Sequence, residues 1–345
     1  MRNTEENFGK KAVFVAGIAG FIGSKVAEKL LERGYFVVGV DNFNDYYSPL
    51  LKRWRVKNLK EYAERTGAPS PLIFRGDISS FRFLERVFKR LEKFNIIPLA
   101  IINEAARAGV RASLIDPWVY LKANSIGNLN LLEIARRYGI KKYVLASTSS
   151  LYAGERMPFS EDLPVNRPIS PYAASKKASE SMAYTYSYLY GIDVVVFRYF
   201  TVYGPAGRPD MSIYRFIRWA FEGKPVILYG DGSQSRDFTY VEDIAEGTVR
   251  GMEKELDSSY EIINLGGESP HTINYVLELV EKYTGRSLKV DRRDFLKVDM
   301  KSTWADISKA RKLLGWSPEI SLEEGIKRTV EWFRNNPVAF RVPLP

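Results

Sequence analysis

Short apolar runs alternate with longer amphipathic stretches over about two thirds of the chain, the pattern of a doubly wound parallel α/β sheet. Lys11 to Ala16 reads as a buried strand that runs into Gly17-Ile18-Ala19-Gly20-Phe21-Ile22-Gly23 and then a helix. Phe36 to Val40 is the second strand and closes in Asp41. Leu72 to Arg75 is the third, followed by Gly76-Asp77-Ile78 and an amphipathic helix, and Leu99 to Asn103 is the fourth, leading to Ala105-Ala106. Asp116 caps and Pro117 opens one long helix that reaches about Tyr138. Tyr143 to Ser147 and Val194 to Arg198 are the fifth and sixth strands.

After Pro205 the alternation loosens into Met211 to Gly223, Val226 to Tyr229 and a tail of short elements. The pattern predicts a Rossmann-type dinucleotide-binding sheet in residues 1–200, rejoined by segments near 235–265. A smaller mixed α/β part, residues 201–345, is expected to bind the substrate. The cleft between two such parts is the expected ligand site.

The chain has 51 Lys and Arg against 41 Asp and Glu, a formal charge of +10, which admits binding to a phosphate backbone. The basic residues are interleaved with acids along helical stretches such as Phe81 to Phe94 and Lys309 to Leu314, as on solvated faces. Anionic small substrates are therefore expected, and nucleic acid is not. With no cysteine and a single histidine, His271, there is almost no material for disulfides, metal clusters or thiol and imidazole nucleophiles. No apolar stretch is long enough to span a bilayer. The run from Ala12 to Ile22 is broken by glycines and continues as strand, turn and helix, unlike a signal peptide. A cytoplasmic protein without membrane partners is expected.

The glycine-rich turn is where chemistry enters. Gly17 allows the tight turn, Gly20 lets the backbone approach a pyrophosphate, and Gly23 permits close helix packing, with the helix N-terminus facing the anion. Asp41, 18 positions past Gly23, is placed to accept hydrogen bonds from an adenosine ribose and to repel a 2′-phosphate, which favours NAD over NADP. Asp77 and Ile78 sit where a strand end frames an adenine, and Ala105 and Ala106 let backbone lie close to a cofactor; ordinary turn chemistry accounts for these equally well.

Tyr172 and Lys176 lie four apart, on one face of a helix that Ser170 caps and Pro171 opens. An ammonium within reach lowers an acid's pKa by roughly 1–3 units, which moves a phenol toward useful base strength. Tyr-x-x-x-Lys also occurs by chance in many helices, so the pair gains meaning only beside the dinucleotide turn. The fifth strand ends in Ser147-Thr148-Ser149-Ser150, a polar turn on the commoner reading and a hydroxyl bridge to a substrate alcohol on the chemical one.

Taken together, Gly17 to Gly23, Asp41, Asn103 to Ala106, the hydroxyl strand end and Tyr172/Lys176 resemble the extended short-chain dehydrogenase/reductase superfamily over nearly the whole chain. Asp41 to Tyr47, Ala108-Gly109-Val110-Arg111 and Phe200 to Met211 look like UDP-glucuronate 4-epimerases. Arg236 to Val241 and Thr303-Trp304-Ala305-Asp306 resemble segments that hold the UDP moiety and close the sugar pocket. The resemblance implies that Tyr172 takes the proton of the sugar 4-hydroxyl, assisted by Thr148, while hydride passes to NAD. The 4-keto sugar then turns over and is reduced on its other face. It adds Phe21, Ile22, Asn42, Asn124 and Lys176 to the cofactor residues, and Arg111, Arg236 and Asp299 to those holding the UDP-sugar.

The same resemblance sets Thr201, Arg208, Ser149 and Ser150 around a sugar carboxylate, although Arg208 facing the UDP phosphate, or lying on a loop, remains an alternative. Related dehydratases carry Asp-Glu after the catalytic threonine and decarboxylases Ser-Glu, where this chain has Ser149-Ser150. Two departures stand out: Asn103-Glu104 replaces the usual His-Leu, and Leu151-Tyr152-Ala153-Gly154 the usual Val-Tyr-Gly. The function implied is UDP-glucuronate 4-epimerase. The competing readings are UDP-glucose 4-epimerase, decarboxylase or net oxidoreductase, and a silent NAD sensor. A homodimer through the helices near 116–138 and 172–190 is implied as well; the apolar faces of those helices also fit packing on the sheet.

Overall fold

The computed structural model describes residues 11–295 and 299–344. In chain order the strands are β1 (Ala12–Ala16), β2 (Phe36–Asp41), β3 (Leu72–Arg75), β4 (Ala100–Asn103), β5 (Lys142–Thr148) and β6 (Asp193–Tyr199). They continue as β7 (Thr201–Tyr203), β8 (Val226–Tyr229), β9 (Ser235–Tyr240), β10 (Tyr260–Leu265), β11 (Pro270–Thr272) and β12 (Val290–Arg293). Seven of them form one sheet in the order β10-β6-β5-β4-β1-β2-β3, every pairing parallel.

Parallel strands are covered on both faces and so read as continuous apolar runs, and every residue of β1 is buried. Helices Phe21–Glu32 and Val241–Glu253 cover one face with Val26, Leu30, Ile244 and Val249. Helices Phe81–Lys93, Gly127–Arg137 and Pro171–Tyr190 cover the other, with Leu84, Phe88, Leu131 and Ala183. The strand order turns back between β1 and β4, and the crevice outside the carboxyl ends at such a point is where open α/β sheets take ligands.

The remaining strands make two small sheets, β11-β9-β7 and β12-β8. With helices Ser212–Glu222, Ile273–Thr284 and Leu322–Asn335 they enclose a separate core around Tyr214, Ile217, Val280 and Phe333. Among the described residues no helix is long and apolar enough to cross a membrane.

The long helix expected from Pro117 to Tyr138 is broken in register. It runs as an α-turn at Pro117–Tyr120, a π-turn at Leu121–Ile126 and an α-helix at Gly127–Arg137. The π-turn faces the helix that carries Tyr172. Ser179 Oγ donates to the Asn124 carbonyl at 3.0 Å, Asn124 Nδ2 donates to Ser175 Oγ at 2.8 Å, and Ser125 Oγ donates to the Ser175 carbonyl at 3.1 Å. These contacts satisfy groups that the wider turn would leave unpaired.

Candidate active site

The carboxyl ends of the central strands open into a cavity of about 980 Å³ that extends toward β8 and β9 of the smaller part. The turn after β1 forms one end. Gly17 has φ +80°, and a Cβ there would lie 2.7 Å from the Ala105 nitrogen, so the close approach of this turn to the strand-four exit requires glycine. Gly20 N donates to the Gly17 carbonyl at 2.8 Å, and the helix starts at Phe21. Ile22 and Gly23 line the same end.

Asp41 is held against this turn, its carboxylate accepting from Ala19 N at 3.2 Å and Phe43 N at 2.8 Å, with Lys52 Nζ 3.8 Å away. Asn42 Nδ2 donates to Asp77 at 3.0 Å, and Asp77 also accepts from Ser79 N at 2.8 Å. Burial pushes the Asp77 carboxyl up, yet the Ser79 and Asn42 hydrogen bonds outweigh it and hold Asp77 below its ordinary value. Ile78, Ala105 and Ala106 complete this wall. Backbone approach at the turn, a fixed acid at the end of β2 and small residues opposite fit an adenine dinucleotide.

Asn124, expected among the cofactor residues, is not one of the residues lining this cavity. It is 3% exposed and lies behind the cavity wall, where its amide oxygen accepts from Arg107 N at 2.7 Å and its amide nitrogen donates to the Arg107 carbonyl at 3.0 Å. Its place on the π-turn commits it to fixing the loop after β4, a role set by contacts distant in sequence.

Ser170 caps the helix Pro171–Tyr190, accepting from Ala173 N at 3.1 Å, and so presents Tyr172 in the first turn. Burial pushes the Tyr172 phenol above its ordinary value; a hydrogen bond with Thr148 and the charge of Arg208 pull the other way. The sequence reading sets the Lys176 ammonium against this phenol. The structure instead turns Lys176 Nζ onto the Ala146 carbonyl at 2.7 Å, and burial lowers its pKa to about 8. The Arg208 charge also bears on the phenol from the loop after β7.

The hydroxyl cluster divides. Ser147 donates to the buried Glu180 at 2.6 Å, behind the site. Thr148 Oγ1 donates to Ser150 Oγ and accepts from Ser150 N, both at 3.1 Å, so Thr148, Ser149 and Ser150 form a polar rim on the cavity. Thr201 and Arg208 face the same space. Arg208 Nε donates to Asp210 at 3.0 Å, and Tyr46 donates to Asp210 at 3.2 Å. Near the outer end, Arg111 forks onto Asp299 and lies over the Tyr229 ring at 4.5 Å, beside Arg236. Burial lowers the Arg236 pKa, and the Arg111 charge adds to this while Asp299 opposes it.

Sequence reasoning missed Tyr46, Lys52, Arg107 and Asp210, all of which line the cavity. Asp210 carried a signal: an acid two residues after an arginine in a proline-bounded loop. Arg107 carried none, since its position over the Tyr46 ring at 3.9 Å arises from a contact between distant loops.

The protein-family model described as GDP-mannose 4,6 dehydratase matches residues 14–329. UDP-glucuronate 4-epimerase of Thermodesulfobacterium geofontis is 54% identical over 323 residues, covering 93% of this chain and 96% of that protein. The crystal structure of UDP-glucuronic acid 4-epimerase from Bacillus cereus with UDP-glucuronic acid and NAD superposes with a TM-score of 0.84 at 34% identity, covering 94% of this chain and 99% of that one. UDP-glucose 4-epimerase of Thermotoga maritima with UDP-glucose gives 0.82 at 33% identity, with the same coverage. A match of this extent, joined to the seven-stranded parallel sheet and the Tyr172/Lys176 helix, leads to one conclusion: the chain belongs to the GDP-mannose 4,6 dehydratase family, among the NAD-dependent UDP-sugar epimerases of the extended short-chain dehydrogenase/reductases.

Proposed function

We propose that this chain is an NAD-dependent UDP-glucuronate 4-epimerase that interconverts UDP-glucuronate and UDP-galacturonate. The observation that carries the reading is the convergence of Tyr172, Thr148 and Arg208 at one end of the cavity that the glycine turn closes at the other. Gly17 to Gly23, Asp41, Asp77 and Ala105 would hold NAD, which when bound takes the C4 hydride and returns it. Tyr172 accepts the proton of the 4-hydroxyl and gives it back after the sugar has turned, with Thr148 hydrogen-bonded to the same oxygen.

Arg208, with Ser149, Ser150 and Thr201, receives the sugar carboxylate. A guanidinium with two free N–H directions suits that group better than a neutral hydroxymethyl, because charge-assisted hydrogen bonds are the stronger ones. Positions 149 and 150 are serines, so no carboxylic acid stands there to assist loss of carbon dioxide from the β-keto acid. Arg111 and Arg236 are placed for a diphosphate and Asp299 for ribose hydroxyls. In this reading the dinucleotide lies on the larger part and the UDP-sugar reaches the smaller one.

Exposed Trp118, Tyr184 and Tyr188 support a homodimer through the two helical segments that bear them. Because both ligands are cellular nucleotides, we assign the protein to the cytoplasm. The test is product analysis after incubation with UDP-glucuronate and, separately, UDP-glucose. UDP-galacturonate without net NADH supports the reading; UDP-galactose formed in preference, or UDP-xylose, overturns it.

A further inference from the structure

Glu104 stands where nucleotide-sugar epimerases resembling this chain carry leucine, directly after β4. Its backbone N donates to the Ala16 carbonyl at 3.0 Å, which ties it to the strand that feeds the glycine turn. A Cβ on Gly23 would touch Glu104 Cβ at 3.4 Å, so the carboxyl group sits under that turn, and its partial exposure opens onto the cavity. Lys176 acts on it from the catalytic helix and Tyr199 from the end of β6; Glu180 bears on Lys176 from the same helix.

Counting protons along its hydrogen bonds favours the acid form of Glu104, because only that form satisfies all three contacts at once. Tyr199 Oη is 2.7 Å from Glu104 Oε1 and 2.8 Å from Thr248 Oγ1, while Thr248 Oγ1 is 2.7 Å from the Ile244 carbonyl. Three contacts need three protons, and the two hydroxyls bring only two. With Thr248 donating to Ile244 and Tyr199 donating to Thr248, the Glu104–Tyr199 contact is a hydrogen bond only when Glu104 is the acid and donates. As a carboxylate, Glu104 takes the Tyr199 proton and one of the other two contacts loses its hydrogen. Burial acts in the same direction, raising the Glu104 carboxyl to about 7, against the pull of Tyr199 and Lys176.

We propose that Glu104 is a positioning residue that holds a proton when NAD occupies the cradle, so that it does not offset the Lys176 ammonium on the catalytic helix, and that loss of this proton loosens the cofactor. A carboxylate there pairs with Lys176, cancels part of its field at the reacting centre and repels the pyrophosphate. The acid does neither. A leucine at this position has no such switch, so the pH dependence of cofactor retention is a property of this chain's own residue. The inference rests on the Tyr172/Lys176 reading of the site, but its test reads cofactor binding and is independent of which sugar reacts.

The experiment follows NAD release from the holoenzyme between about pH 6.5 and 8.5, in wild type and Glu104→Gln, which keeps the hydrogen bond and cannot ionise. Wild type is expected to release NAD faster as pH rises from about 6.5 to 7.5, by up to about tenfold per unit, the limit for one coupled proton. Glu104→Gln and Glu104→Leu should lose that step and keep only the dependence that Lys176, lowered to about 8, adds above it. Infrared spectra of the holoenzyme at pH 7 should show a protonated carboxylic-acid band that disappears in Glu104→Gln. An unchanged pH slope in both variants, or no such band in wild type, overturns the proposal.

Discussion

Arg208 and Asp210, two residues apart on the loop after β7, form a forked ion pair whose Nε–Oδ1 arm measures 3.0 Å. The Tyr46 ring lies 5.7 Å from the guanidinium and its hydroxyl donates to Asp210 Oδ2, the oxygen that Arg208 Nη2 also contacts, so the fork is fixed before substrate arrives. Asp210 is kept below its ordinary value: burial raises it, but the charge and hydrogen bonds of Arg208 prevail. Arg208→Lys replaces a planar fork with a point charge. We expect kcat/KM for UDP-glucuronate to fall by roughly ten- to a hundredfold, the worth of a charge-assisted hydrogen bond, while turnover of UDP-glucose changes far less. Steady-state kinetics on both substrates check this.

Lys176 is 4% exposed with a pKa lowered to about 8, burial outweighing Glu104 and Glu180. An unfolded lysine titrates near 10.5. Below about pH 8 the folded protein therefore bears the full cost of that buried ammonium, and the cost fades as pH rises toward 10.5. Lys176→Met removes it, so at pH 7 the variant should be more stable, by on the order of 3 kcal/mol at most, and catalytically inert. Denaturant titration at pH 7 and pH 10 checks the sign: the gain should shrink at the higher pH.

Behind the site, Arg198 meets Glu180 through Nε at 3.0 Å and Nη2 at 2.9 Å, and both residues are 1% exposed. Arg198 also donates to Tyr152, which in turn donates to Asn264 at 2.8 Å. This network stiffens the strand end that carries Thr148. Glu180→Gln leaves a guanidinium buried without its counter-charge and should lower stability by about 3–5 kcal/mol. The ratio of UDP-glucuronate to UDP-glucose turnover should not move, since neither residue reaches the sugar.

Trp118 is 77% exposed and Tyr188 78%, on helical segments that pack against each other beside the active site. On the homodimer proposed above, side chains this exposed are covered by a second copy. We expect the parent to sediment as a dimer and the double variant Trp118→Glu/Tyr188→Glu as a monomer.

Much of this was legible in the chain because apolar periodicity fixes parallel strands well. β3 runs from Leu72 to Arg75 as the pattern predicts, while β5 and β6 extend a residue beyond their apolar cores at each end. Leu99, expected inside β4, lies just before it, although its N–H still pairs with the Ala12 carbonyl at 2.8 Å. What escaped depends on contacts between distant segments. The π-turn at Leu121–Ile126 is imposed by Ser175 and Ser179, and with it the placement of Asn124 against the loop after β4. The orientation of Lys176 toward Ala146 is likewise set by the neighbouring strand and not by its spacing from Tyr172. Glu104 was visible as an acid at the end of a buried strand, but its hydroxyl partners come from β6 and the helix Val241–Glu253.

The central claim is that the Tyr172 phenol moves the proton of the sugar 4-hydroxyl. Its most direct test is single-turnover interconversion of UDP-glucuronate by the holoenzyme, followed by product analysis, for wild type and Tyr172→Phe. Removing one general acid–base group should slow UDP-galacturonate formation by about 10²–10⁴-fold, with the cofactor still bound. Interconversion at the wild-type rate in Tyr172→Phe would contradict the account.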